Sequence, residues 1–293
     1  MVKSLKKIKP SDVIVFIIIT AINFIMLYPF VNIIAVSLSS AKAYSLNPMM
    51  IFPREITFTA YKIILQSATL KSAYINTIII TVAGTLISLL LYVTAAYPLS
   101  RKEFRGRGVI MKLIIFTMLF NGGLIPNFLL IKSIGLYDTL TALVVPMLFS
   151  AFNLVLIKNY FEALPSSLLE SAKLDGVNEF MMLWKIVLPL SKAIISTIGL
   201  FVAVEYWNSY FNAVVYTSSM NKWTLQLMLR ELIMGASLGE VSNVSEMAIM
   251  LRKLPTDSIK YSALVITALP ILCLYPFAQK YFVSGVMIGA VKG

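Results

Sequence analysis

A chain of 293 residues, 59% of them hydrophobic and only 13% charged, with a mean hydropathy of +0.85, is too apolar for a water-soluble globular protein and belongs in a bilayer. The formal net charge of +12 would suit nucleic acid if the basic residues shared one polar face, but they sit at the ends of apolar runs, where they report topology instead. With no histidine and a single cysteine, Cys273, inside an apolar run, disulfide frameworks and His- or Cys-based metal sites are excluded, and Cys273 reads as a small hydrophobic residue.

The N-terminus, MVKSLKKIKPSD, is basic and leads into an apolar run from Val13 to Val36. That run exceeds the ~7 to 15 residues of a signal-peptide core, so it reads as an uncleaved anchor. A bilayer core of about 30 Å needs about 20 apolar residues per helix. Five more runs qualify: Ser72 to Tyr97, Val109 to Ile131, Thr139 to Ile157, Leu190 to Tyr210 and Tyr261 to Phe277. The fifth of the six is the weakest, with Lys192 near its start and Glu205 in its far half. The sequence therefore predicts an all-α integral membrane protein, one domain over 1–293, with six transmembrane helices and both termini on one side. Lys3, Lys6, Lys7 and Lys9 before the first span, and Arg101, Lys102, Arg105 and Arg107 between the second and third, assign that side to the cytoplasm of a plasma-membrane protein. The outer segments from Ser37 to Lys71 and from Phe211 to Lys260 are also rich in basic residues, but long segments are weakly governed by this rule. No internal repeat, low-complexity tract or separate soluble domain interrupts the pattern.

Within span three, FNGGLIPNFLL places Gly122, Gly123 and Pro126 between Asn121 and Asn127. That combination loosens a helix, and its amides either line a cavity or bridge helices inside the bundle. Between spans four and five lies ESAKLDGVNEFMMLWKIVLP, Glu170 to Pro189. Ser167 and Glu170 are spaced as a capping box, and Asp175-Gly176 ends that helix, since Gly accepts the left-handed conformation. Val177, Met181, Trp184 and Leu188 then give a second helix an apolar face, closed by Pro189. This helix–Gly–helix unit is either a docking device or an interfacial amphipathic segment.

Glu205 is the only acidic residue in any expected span, and an intramembrane carboxylate is by default a functional hypothesis. At ~1.5 Å per residue from Leu190 it lies about 22 Å from the inner edge, where it lines a solute cavity, pairs with a basic group or reaches outer water. Beside it, Tyr206, Trp207, Asn208, Tyr210 and Asn212 combine aromatic faces that stack on sugar rings with amides that bond hydroxyls, a composition shared by interfacial aromatic belts. No GxxxxGK[ST] loop occurs, so the chain cannot bind ATP by that device and active transport would draw its energy from elsewhere.

The Glu170 to Pro189 segment resembles the EAA signature of permease subunits of ABC importers. Glu170, Ala172, Asp175, Gly176, Ile186, Leu188 and Pro189 match it; Ser171 stands where the family usually has Ala, and Ala193 where many members have a further Pro. The stretches FNGGLIPNFLLIKSIGLYDTLTALVVP and EYWNSYFNAVVY and the tail QKYFVSGVMIGAVKG extend the resemblance over essentially the whole chain, to the sugar-importer branch typified by the maltose-type inner-membrane permease. It implies a permease subunit paired with a second, different permease, two ATP-binding cassette ATPases that bind ATP and Mg, and an extracellular solute-binding protein that delivers carbohydrate, often oligosaccharide. The chain itself would hold no cofactor, metal or catalytic residue. Glu170, Ala172, Asp175, Gly176, Leu188 and Pro189 would couple it to the ATPase from a cytoplasmic helix pair, with Glu170 and Asp175 either facing cationic groups of that partner or simply capping and solubilising the loop. Lys280 and Lys292 are further expected contacts. A self-sufficient secondary carrier is the alternative, but it would need several intramembrane carboxylates or histidines. An intramembrane enzyme would need a nucleophile with a base or metal set that these residues do not supply.

Overall fold

The computed structural model describes residues 10–238 and 257–273, and every regular element among them is helical. Lys3 to Lys9, the tail with Lys280 and Lys292, and the expected end of span six at 274–277 lie outside the described residues. Contacts divide the chain into two compact units, Met1–Ser67 with Glu231–Ala268, and Ala68–Arg230 with Leu269–Gly293.

In the first unit, α1 (Pro10–Ser37) precedes the short helices α2 (Ala41–Leu46) and α3 (Thr59–Gln66). Phe16, Phe24, Ile25 and Met26 of α1 are all exposed, a surface that is stable only in apolar surroundings. Its C-terminal end is tied down by polar contacts. The Asn32 amide donates to the carbonyls of Pro48 and Met50, both at 2.9 Å, and the Ser39 hydroxyl donates to Ala35 O at 2.7 Å while accepting the Arg54 N–H at 2.9 Å. Ala35, Val36, Ala43 and Met50 form a small core beneath these bonds.

The second unit is built on α4 (Ala68–Ser100). Around it run α5 (Arg107–Leu119), α6 (Leu124–Ser133), α7 (Thr141–Val144, continued by a 3-10 turn Val145–Met147), α8 (Ala151–Glu162) and α9 (Ser166–Leu174). Next come α10 (Glu179–Met181), which passes through a π-helical stretch Met182–Val187 into α11 (Leu188–Leu190), then α12 (Lys192–Trp207), α13 (Phe211–Tyr216) and α14 (Leu225–Leu238), which belongs to this unit only as far as Arg230. A last helix, α15, occupies 257–273 and lies mostly in the first unit, to Ala268. The core lies where α4 meets α8 and α12: Ile80, Tyr92, Val93 and Ala96 pack with Leu154, Ile157, Ile198, Val202 and Tyr206. Between membrane helices it is close packing, rather than escape from water, that holds such a core, so small residues matter at the contacts. Gly84 is one: a Cβ there would stand 2.4 Å from the Tyr206 ring.

Ser11–Ser37 of α1 and all of α4 are long and apolar enough to cross a membrane as single helices. Three further pairs reach that length and hydropathy only together, bent at a short break: α5–α6 by 114°, Thr141–Met147 with α8 by 53°, and Glu179–Leu190 with α12 by 81°. The apolar runs read as continuous spans over 109–131 and 139–157 are thus each two helices. At the first break the Asn121 side chain accepts the Gly123 N–H at 2.9 Å, replacing a helical bond. At the second, Ser150 caps α8 by accepting the Asn153 N–H. The third lies at Ser191, just after Pro189, which has no N–H to continue the ladder.

Both ends of α4 are anchored. Near its start, Asn76 donates to the carbonyls of Asn221 (2.8 Å) and Trp223 (3.1 Å), and the Thr77 hydroxyl accepts the Leu225 N–H at 2.8 Å. Near its end, the Tyr97 hydroxyl donates to Glu179. At ~1.5 Å per residue these anchors are about 32 Å apart, the thickness of a bilayer's hydrocarbon core.

Candidate functional site

A cavity of about 550 Å³ opens within the second unit, lined by Asn121, Asn127, Glu205, Asn208, Tyr210 and Asn212 together with Gly123, Leu124, Pro146, Met147, Ser209, Phe211 and Tyr216. Its size falls in the range of small-molecule sites. The α5–α6 break brings Asn121 and Asn127 to one side. The end of α12 supplies the other: Glu205 and Asn208 are three residues apart, hence neighbours on one helical face. Asn208 ends α12, and its side-chain oxygen accepts the Gln226 amide at 3.2 Å. The chain then turns into α13, bringing Tyr210, Phe211 and Asn212 round the rim.

Six of the eight residues expected along a solute path therefore share one cavity; Tyr206 and Trp207 do not. Tyr206 is 1% exposed, with its hydroxyl donating to Val144 O at 3.1 Å, and Trp207 is 6% exposed, edge-on to Tyr74 at 5.9 Å between ring centroids. Each residue of a helix is rotated about 100° from the last, so the two positions between Glu205 and Asn208 point into the core. They are packing residues. Phe211 and Tyr216 were missed although they belong to the same EYWNSYFNAVVY stretch, because their side was set by α13. Pro146 and Met147 gave no sequence signal, since their place depends on the turn after α7.

The Glu170 to Pro189 segment forms a helix–turn–helix at the far end of α4. Gly176 has φ +78°. Its N–H bonds Lys173 O and the Val177 N–H bonds Ala172 O, both at 3.0 Å, the paired bonds of a Schellman ending that only a residue tolerant of positive φ allows cheaply. The start of α9 differs from the expected capping box. Pro165 is the N-cap, and Ser166 and Ser167 are already helical; a proline with φ fixed near −60° starts the helix two residues early. Ser171 bonds back to Ser167 O at 2.8 Å.

The second helix also buries a different face. Met182, Leu183 and Val187 are buried, whereas Met181 and Trp184 are exposed. This helix is apolar almost all round, so spacing alone does not select a face, and the π-helical stretch widens the turn so that residues five apart align. Ala172 is 7% exposed and packs with Leu169 into the chain's own core, so it seats α9. Glu170, Asp175, Gly176 and Pro189 are exposed, Leu188 is half-buried, and Leu174 and Phe180 stand out at 90% and 72% exposure.

A residue absent from the sequence reading, Glu179, joins the two helices to α4. Its carboxylate accepts from the Tyr97 hydroxyl and pairs with Lys173 at 3.2 Å, and the Arg101 guanidinium lies over the Tyr97 ring, 4.5 Å from its centroid. The Tyr97 hydrogen bond, aided by Lys173, holds the Glu179 carboxyl below its ordinary range. Asn178 caps the second helix by accepting the Met181 N–H at 2.8 Å.

At the cavity end, Asp138 plays the corresponding part. It accepts the N–H groups of Ser218 and Ser219 at 3.0 Å, the Ser219 hydroxyl at 2.6 Å and the Lys222 ammonium at 2.9 Å, and its own N–H bonds Tyr216 O at 2.8 Å. The Ser219 hydroxyl and N–H, with Lys222, hold its carboxyl far below the usual range.

The sequence profile of the family described as "Binding-protein-dependent transport system inner membrane component" matches residues 89–288, a stretch that includes the cavity and the helix–turn–helix. The chain is 41% identical over 282 residues to Protein LplC of Bacillus subtilis (strain 168), covering 96% of this chain and 95% of that protein. It is 39% identical over 282 residues to the polygalacturonan/rhamnogalacturonan transport system permease protein YtcP of the same organism, covering 96% and 98%. Among solved structures, a chain of a bacterial ABC transporter involved in the import of the acidic polysaccharide alginate matches with a TM-score of 0.85 at 35% identity, over 94% of this chain and 98% of that one.

Proposed function

The chain belongs to the family of binding-protein-dependent transport system inner membrane components, and on that premise we propose that it is one permease subunit of a heteromeric, ATP-driven importer of carbohydrate, with oligosaccharide delivered by an extracellular binding protein. It is a transport component, not an enzyme. A second permease completes the membrane pathway, and two ATPase subunits bind ATP and Mg; this chain holds neither. In the plasma membrane it spans six times with both termini cytoplasmic: α1, α4, the bent pairs α5–α6 and α7–α8, α12 and α15.

The observation that carries this reading is that one family profile takes in both a polar cavity and the helix–turn–helix. The Asn121, Asn127, Glu205, Asn208, Tyr210 and Asn212 lining forms this subunit's share of the solute path. Glu170, Asp175 and the exposed Leu174 and Phe180 meet the ATPase, Ala172 and Leu188 seat the unit, and Gly176 and Pro189 shape it. When the ATPases close, the unit shifts and pulls on α4 through Glu179 and Tyr97; because α4 packs on α8 and α12, the cavity wall follows and access alternates. Family membership favours this over a self-sufficient ion-coupled carrier.

The test is purification of the chain from its native membrane in mild detergent, with co-purifying proteins identified by mass spectrometry. A second permease, a P-loop ATPase and an extracellular binding protein are expected together. Recovery of the chain alone, or only with copies of itself, would refute the importer assignment.

A further inference from the structure

Two of the proteins this chain is similar to handle acidic polysaccharides, alginate and polygalacturonan, whose sugar units carry carboxylates. A polyanion is bound by cations and clustered N–H donors, and a carboxylate fixed in the same confined site repels it. The cavity of this chain has the second character. Its neutral polar groups are the amides of Asn121, Asn127, Asn208 and Asn212 and the hydroxyls of Ser209 and Tyr210, and its single charged lining residue among the described residues is Glu205, which is exposed. Among the described residues no lysine or arginine lines it. Arg230 lies over the Tyr210 ring, 5.9 Å from the centroid, and is not part of the lining.

The hydrogen-bond inventory points the same way. An ionised carboxylate only accepts, so Glu205 is matched by sugar hydroxyls, which donate, and mismatched by a uronate carboxylate, which also only accepts. Amides both donate and accept, and so suit the mixed character of hydroxyl groups. Tyr210 and Phe211, both exposed, add ring surface for the apolar faces of pyranoses.

We propose, on the importer reading above, that this cavity passes uncharged oligosaccharides and excludes uronate-bearing ones, with Glu205 as the excluding charge. Specificity of this kind comes from a repulsive element as much as from attraction.

The experiment uses the native host with the chain deleted and restored as wild type, E205Q or E205K. Cells are incubated with a mixed digest of neutral arabinan and mannan and of anionic polygalacturonate and alginate, and depletion of each oligosaccharide is followed by mass spectrometry, with membrane levels of each variant checked by immunoblot. Relative to the deletion strain, wild type is expected to deplete neutral oligosaccharides only. E205Q and E205K are expected to raise the ratio of uronate to neutral uptake at least about fivefold. Depletion of oligogalacturonate or oligoalginate by wild type overturns the exclusion while leaving the importer reading intact. Neutral-only uptake with an unchanged ratio in both variants at normal membrane levels overturns the role of Glu205. If wild type and deletion strains deplete no oligosaccharide differently, the importer reading fails and the exclusion falls with it.

Discussion

Asp138 and Glu205 are two carboxylates of the same helical unit with opposite surroundings. Asp138 is met by three N–H or O–H donors and an ammonium group, so it is stabilised as the anion and ties the 216–222 segment to the turn before α7. Because its folded value is depressed, its contribution is fully present above the ordinary aspartate value of about 3.9 and is lost as pH falls below it. The thermal midpoint of the purified protein should therefore be insensitive to this group from pH 8 to about pH 5 and decline in more acidic buffer. D138N should melt lower than wild type at pH 7, with the gap narrowing toward pH 3; a gap that is constant with pH would show that the clasp owes nothing to charge. The cluster around Glu205 was legible in the sequence as composition, but its division was not. Glu205 and Asn208 reach the cavity while Tyr206 and Trp207 turn inward, because helical rotation separates adjacent residues and only the packing of α4 on α12 decides which side is the core.

At the scale of elements, the turn of the helix–Gly–helix unit was readable and its bearing surface was not. Gly176 announces itself because few other residues accept its backbone angles, and G176P should cost roughly 1–3 kcal/mol of local strain as well as the N–H bonded to Lys173 O. Uptake by the assembled importer should fall at least about tenfold with the protein still in the membrane; wild-type uptake would remove this unit from the coupling route. Glu179 calls for a different expectation. Its pair with Lys173 is largely exposed, and such pairs contribute about 0–1 kcal/mol, so E179Q should fold normally. If Glu179 and Tyr97 transmit motion to α4, then E179Q and Y97F should lower sugar transported per ATP hydrolysed by about threefold or more while basal ATPase activity persists. An unchanged ratio in both variants would make the contact merely structural. Neither residue stood out beforehand, since a hydrogen bond between the end of one helix and the start of another far along the chain leaves no periodic trace.

At the scale of the whole molecule, the proposed six-span arrangement makes its own prediction. On a Cys273→Ser background, a single cysteine replacing Lys62 should react with an impermeant maleimide on intact cells, whereas cysteines replacing Lys102 or Leu174 should react only after permeabilisation. Labelling of the Leu174 position from outside would invert the topology and detach the helix–turn–helix from any cytoplasmic ATPase. Apolar run length and basic residues at run ends were enough, by themselves, to determine a helical membrane protein, because in a bilayer every backbone group must be bonded internally and the solvent imposes a length on each helix. The spacing of Glu170, Gly176 and Pro189 likewise determined where a helix pair turns. What only the tertiary structure decided was where the apolar runs break, which face of an all-round apolar helix is buried, and that asparagines from α6 and its preceding break share a cavity with the end of α12. Those outcomes rest on contacts between residues distant in the chain, and hydropathy, which counts neighbours in sequence, carries no record of them.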